Sequence, residues 1–157
     1  MLERGDLAAS FVLTDLDQKL HSLSNFLKSG PVLLAFFKTS CPTCQFTFPF
    51  LERLHQAASS GTPRVIAISQ DTREATLEFR QEFGITIPTL LDQAAENYPA
   101  SNGYAIASVP SLFLVESDGT IAWAQEGFHR VELETVAKRF GVALFRATDR
   151  VPEARPG

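Results

Sequence analysis

The chain has two cysteines, and they stand three positions apart as Cys41-Pro42-Thr43-Cys44. A dithiol at this spacing can close to a disulfide and reopen. As a permanent staple it would be poor, because so small a loop restrains the unfolded chain least. Reversible thiol exchange is the chemistry that suits it. The pair directly follows Val32–Phe37, six apolar residues in a row. Such a run without alternation suits a central strand buried on both faces. After the cysteines a helix is expected over about 42–58, with Phe46, Phe50, Leu51 and Leu54 on one stripe. Cys41 would then sit at the helix start, where unpaired N–H groups and the positive dipole end favour a thiolate. Cys44 would lie about one turn on, in bonding reach and less exposed. Pro42 suits the first helical turn, where its missing N–H costs nothing. The blander alternative is a pair of inert core thiols.

Other residue types supply less. With no third cysteine, a four-sulfur zinc or iron–sulfur site within one chain is excluded. His21, His55 and His129 are scattered without metal-ligand spacing, so surface positions and no metal or other cofactor are expected. Lys38, three residues before Cys41, could favour the thiolate electrostatically. Tyr98 and Tyr104 are candidates to shape a groove near the dithiol, and Trp123 is expected in the core. A net charge of −4 gives no basic footprint for nucleic acid or anionic membrane. The run Val32–Phe37 is far too short to cross a bilayer. The first residues, Met1-Leu2-Glu3-Arg4-Gly5-Asp6, lack the basic-then-apolar pattern of a signal peptide, so a cytoplasmic location is expected unless a leader has been removed.

A length of 157 residues suits one domain with a real core, and thirteen Phe say that large rings fill it. The expected layout is one domain over 1–146 and a disordered tail over 147–157, where two Pro, a Gly and four charged residues crowd together. Within the domain, 11–14 and 19–21 flank a turn and form a hairpin. A short helix over 22–27 stops at Gly30-Pro31. A second buried strand is expected over 65–68, followed by a helix whose capping box is Asp71-Thr72-Arg73-Glu74 and whose end is near Gly84. A short extended segment over 86–91 comes next, followed by a stretch over 92–104 that is irregular or holds a single helical turn. Strands over 111–116 and 120–125 meet at Ser117-Asp118-Gly119, and a last helix covers about 131–140. Alternating strands and helices that end in a hairpin imply an α/β fold with a mixed sheet.

Five features together resemble the thioredoxin superfamily, in its redoxin branch of alkyl-hydroperoxide-reductase/thiol-specific-antioxidant and TlpA-like proteins. They are the strand-to-helix segment Phe36-Phe37-Lys38-Thr39-Ser40-Cys41-Pro42-Thr43-Cys44, Pro49 inside the helix, Val109-Pro110-Ser111-Leu112-Phe113-Leu114, the hairpin at Glu116-Ser117-Asp118-Gly119-Thr120, and Gly127. The resemblance implies a three-layer α/β/α sandwich with a central mixed sheet and an N-terminal β-hairpin extension. It also implies a cis bond at Pro110, which would set the Val109 backbone beside Cys41 to receive an extended peptide. On that reading Cys41 and Cys44 are catalytic, and Val109, Pro110, Pro42 and Thr43 bind substrate. Three positions depart from the pattern. Ser40 stands where a Trp is usual, Ala35 where thioredoxin buries an Asp, and Thr47 where TlpA-like proteins carry a Glu. Both internal carboxylates associated with proton movement are therefore missing, which leaves Thr47 and Lys38 as possible support.

The expected activity is thiol–disulfide exchange with protein disulfide or dithiol substrates, recycled by a thiol reductant or oxidant, by a chain acting as a monomer. A thiol-dependent peroxidase is the alternative, since peroxiredoxins share the overall look. They carry Pro-x-x-x-Thr-x-x-Cys, however, and here Lys38 precedes Cys41 by three and Cys41 precedes Cys44 by three. A non-catalytic redox sensor is the third reading.

Overall fold

The computed structural model describes residues 1–58 and 64–157. Its centre is a seven-stranded mixed sheet in the order β2-β1-β5-β4-β3-β6-β7. The strands are β1 (Val12–Asp15), β2 (Leu20–Ser22), β3 (Val32–Phe37), β4 (Arg64–Ser69), β5 (Thr89–Leu91), β6 (Ser111–Val115) and β7 (Ile121–Glu126). β3 pairs parallel with β4 and antiparallel with β6, which places it inside the sheet. All six of its residues are buried, as a strand covered on both faces requires. The N-terminal hairpin does not stand apart: β1 pairs antiparallel with β5, so β2 becomes one edge of the sheet.

Alternation along β3 assigns its two aromatic rings to opposite faces. Phe37 packs on Phe48 and Phe79, at ring-centroid distances of 4.4 and 4.9 Å. Those rings belong to α2 (Pro42–Ala57) and α3 (Arg73–Phe83), which follow α1 (Leu23–Leu27) in the chain. Phe36 packs instead on Tyr104 and Phe113, at 5.2 and 5.8 Å. Tyr104 follows α4 (Pro99–Gly103), a short helix in the stretch expected to be irregular or to hold a single helical turn. The last helix, α5, covers Arg130–Arg139. The sheet is thus flanked by helices in the expected three-layer α/β arrangement. No helix among the described residues is long and apolar enough to cross a membrane.

Four local expectations need correction. The cap of α3 is Thr72, whose hydroxyl accepts the Ala75 N–H, and not Asp71. Tyr104 is completely buried and lines no groove. Trp123 is half-buried, with its indole N–H donated to Glu132. His21 is half-buried as well, bonded to Asp15 and stacked on Phe26.

The largest correction concerns the chain's last residues. The tail expected to be disordered from residue 147 is docked along the domain. Its β9 (Ala154–Arg155) pairs antiparallel with β8 (Phe128–His129) in a second, two-stranded sheet. Arg53 of α2 holds Asp149 through two hydrogen bonds of 2.6 and 3.0 Å. This pairing keeps the Asp149 carboxyl ionised down to about 2. Composition described the segment's polarity correctly but could not show that α2 and β8 offer it partners.

Candidate active site

The buried run of β3 delivers the chain to the top of the sheet, and α2 begins at Pro42 after four intervening residues. Cys41 is the N-cap of α2, and its Sγ accepts the Cys44 N–H at 3.1 Å. A sulfur in this position meets one of the unpaired amides that any helix start presents. Cys41 is partly exposed, whereas Cys44 is fully buried; both are free thiols. Burial pushes the Cys44 thiol well above the ordinary range, and its hydrogen bond with Cys41 acts in the same direction, partly offset by a backbone hydrogen bond from Lys38. The two sulfurs are therefore unequal: one is reachable at the helix end and one is held neutral in the core.

The loop before Cys41 is pinned from two sides. Asp71, on the connection between β4 and α3, accepts both the backbone N–H and the hydroxyl of Thr39. Gln45, on the first turns of α2, donates its side-chain amide to the Thr39 carbonyl at 2.9 Å. The Lys38 side chain is exposed. It borders a small polar depression together with Gln70, Tyr98, Asn102 and Val109.

Across from the dithiol, the Val109–Pro110 bond is cis, and the Cys41 thiol lies 3.4 Å from the Val109 carbonyl. Gly127 donates its N–H to the Pro110 carbonyl and ties this loop to the end of β7. Pro42 is exposed beside Cys41. Thr43 is buried, and its hydroxyl donates to the Pro156 carbonyl at 2.6 Å. Thr47 does not offer its proton to either sulfur: its hydroxyl donates to the Thr43 carbonyl at 2.7 Å inside α2. Ala35 is fully buried on β3. The structure thus gathers Cys41, Cys44, Pro42, Thr43, Val109 and Pro110 at one place and leaves Thr47 with a helical hydrogen bond.

Residues 4–124 match the model of the AhpC/TSA family. The chain belongs to that family. Among curated relatives it is 27% identical over 118 residues to a thiol-disulfide oxidoreductase ResA of Geobacillus thermodenitrificans, a match covering 74% of this chain and 66% of the relative. A ResA of Geobacillus kaustophilus is 29% identical over 118 residues, with the same coverage. The chain thus matches slightly less than two thirds of the length of these relatives. Among solved structures, the thioredoxin domain of a thiol-disulfide oxidoreductase from Bacteroides vulgatus superposes with a TM-score of 0.79 at 23% identity, covering 89% of this chain and 99% of that one. Peroxidoxin BcpB from Mycobacterium tuberculosis superposes with a TM-score of 0.68 at 20% identity, covering 80% and 86%. The fold is thioredoxin-like. Since proteins named for two different chemistries share it, the fold alone does not choose between them.

Three participants escape a reading of the sequence. Asp71 and Thr72 are both good cap formers, and nothing in the sequence says which one caps and which is free to reach Thr39. Gln45 carries no signal beyond its position one residue after Cys44. The contact of Thr43 with Pro156 joins residues 113 positions apart, beyond the range of any local pattern.

Proposed function

We propose that the chain is a thiol–disulfide oxidoreductase whose substrates are protein disulfides or dithiols. The observation that carries this reading is the asymmetry of the dithiol. Cys41 is accessible at the N-cap of α2 with a peptide carbonyl 3.4 Å away, and Cys44 is buried one turn behind it. In the reducing direction the Cys41 thiolate attacks one sulfur of a substrate disulfide. That S–S bond breaks, a mixed disulfide forms, and the leaving thiolate takes a proton from solvent. Cys44 then gives up its proton and attacks Cys41 Sγ. The mixed disulfide breaks, a Cys41–Cys44 bond forms, and the second substrate thiolate leaves and is protonated. Two electrons and two protons have passed to the substrate, and an external thiol restores the dithiol. Oxidation of a substrate is the same sequence in reverse.

The absence of the peroxiredoxin Pro-x-x-x-Thr-x-x-Cys arrangement supports this reading over a peroxidase. The deciding assay reduces insulin disulfides with dithiothreitol as donor and, in parallel, follows hydrogen peroxide consumption. The expected result is insulin reduction well above the rate with dithiothreitol alone, lost in Cys41→Ser, with peroxide consumption near background. Rapid peroxide turnover without insulin reduction overturns the reading.

A further inference from the structure

Residues 153–157 run along β8 and past Thr43 and Val109, beside the dithiol. β9 pairs with β8 beside the active site, and the Arg130 N–H donates to the Glu153 carbonyl at 2.8 Å. The Arg155 guanidinium sits 4.8 Å above the ring of Phe46, a half-buried residue of the active-site helix. The next carbonyl, that of Pro156, takes the Thr43 hydroxyl. Gly157 then lies against the Val109 carbonyl and the Ser108 hydroxyl, so close that a Cβ at this position would collide with that carbonyl. The same Val109 oxygen is the one that faces Cys41. Gly127 makes room for the crossing: a Cβ there would stand 2.7 Å from the Arg155 carbonyl.

We propose that segment 153–157 is an autoinhibitory strap, an internal occupant of the peptide-binding edge formed by β8, Phe46, Thr43 and Val109. The inference rests on the proposed function, because it assumes that a polypeptide approaches Cys41 along that edge. The strap offers what such a peptide would offer: extended backbone for β8, a side chain over Phe46, and a carbonyl for Thr43. Its hold is slight. β9 has two residues, and Glu153, Ala154, Pro156 and Gly157 are exposed. Short, exposed pairings of this kind open at small free-energy cost. The anchor at Arg53–Asp149 lies upstream, so the strap can peel from Thr43 and Val109 without loss of its tether. A protein substrate must displace it, whereas a small disulfide that needs only the exposed edge of Cys41 need not. The substrate that competes best is an extended peptide with a cationic residue placed to cover Phe46.

The test compares the full chain with a chain ending at Arg150, on insulin and on 5,5′-dithiobis(2-nitrobenzoic acid). A strap closed in nine molecules of ten raises KM about tenfold, so the shortened chain should show a KM for insulin about tenfold lower and little change on the small disulfide. A synthetic peptide of residues 151–157 should inhibit the shortened chain competitively against insulin. In the full chain, Arg155→Pro removes a backbone donor from β9 and the cation over Phe46, and should lower KM in the same direction. If the shortened chain fails to fold, the Arg155→Pro chain decides. An unchanged KM for insulin, with insulin reduction intact, overturns the strap alone. Failure of every chain to reduce insulin overturns the proposed function and the strap with it.

Discussion

Asp71 reaches Thr39 across 32 positions of sequence and accepts its backbone N–H at 2.6 Å and its hydroxyl at 2.9 Å. The contact fixes the loop that carries Cys41 to the end of β3. It does so with a part-buried carboxylate, which makes each hydrogen bond stronger than one between neutral groups. Asp71→Ala leaves the Thr39 donors without this acceptor and should cost about 1–3 kcal/mol, read from urea unfolding. It should also lower kcat/KM for disulfide reduction, because the loop no longer holds Cys41 in one place. Asp71→Asn keeps one acceptor and should fall between.

The unequal burial of the two sulfurs predicts an unequal chemistry. In the reduced protein, iodoacetamide should label Cys41 and spare Cys44 at neutral pH. Cys44→Ser should abolish turnover yet trap mixed disulfides with protein substrates, and Cys41→Ser should abolish turnover and trap nothing. Mass spectrometry of the labelled peptides checks the first statement, and non-reducing gels the second. Labelling of both thiols at similar rates would contradict the burial of Cys44.

The raised pKa of Cys44 has a consequence for stability. A group whose folded value lies above its unfolded value favours folding in its protonated form. That contribution is complete below the ordinary thiol value of 9.0 and is lost as pH rises above it, because only the unfolded chain then ionises freely. The reduced protein should therefore lose stability above pH 9, by at most about 1.4 kcal/mol per pH unit from this group. Cys44→Ala should flatten that part of the profile. Chemical unfolding of the reduced protein from pH 7 to 10.5 measures both curves.

Proton loss from Cys44 has no carboxylate to assist it at Ala35 or Thr47. Since the Thr47 proton is committed to the Thr43 carbonyl, Thr47→Val should leave the rate of mixed-disulfide resolution and its pH profile unchanged. Thr47→Glu puts an acid one turn along α2 from Cys44 and should speed resolution near neutral pH. Ala35→Asp should do the same at greater cost, about 3 kcal/mol or more, because it buries an ionisable group in the central strand. Stopped-flow resolution of a preformed mixed disulfide distinguishes the three.

Some of this molecule was legible residue by residue. The apolar run of β3, the dithiol after it, Pro42 at the first turn of α2 and Gly84 at the end of α3 are local signals. Gly84 does adopt the left-handed conformation that such a stop requires, with φ 65°. These features depend on backbone sterics, helix-end amides and the periodicity of apolar residues, all of which act within a few positions. The resemblance of the Val109-Pro110 segment to its family added the far side of the site. What sequence could not decide is how distant polar groups choose among partners. Asp71 could cap α3 as readily as Thr72 does, and only the proximity of β3 and β4 makes Thr39 the better use of it. The hydroxyls of Thr43 and Thr47 sit four residues apart on one helix, yet one turns outward to Pro156 and the other inward to Thr43 itself. The closing segment holds the same lesson: polar, proline-containing and without a core of its own, it reads as disordered, because composition measures only what a segment can bury by itself. It is placed by Arg53, Phe46 and β8, surfaces that exist only once the rest of the chain has folded.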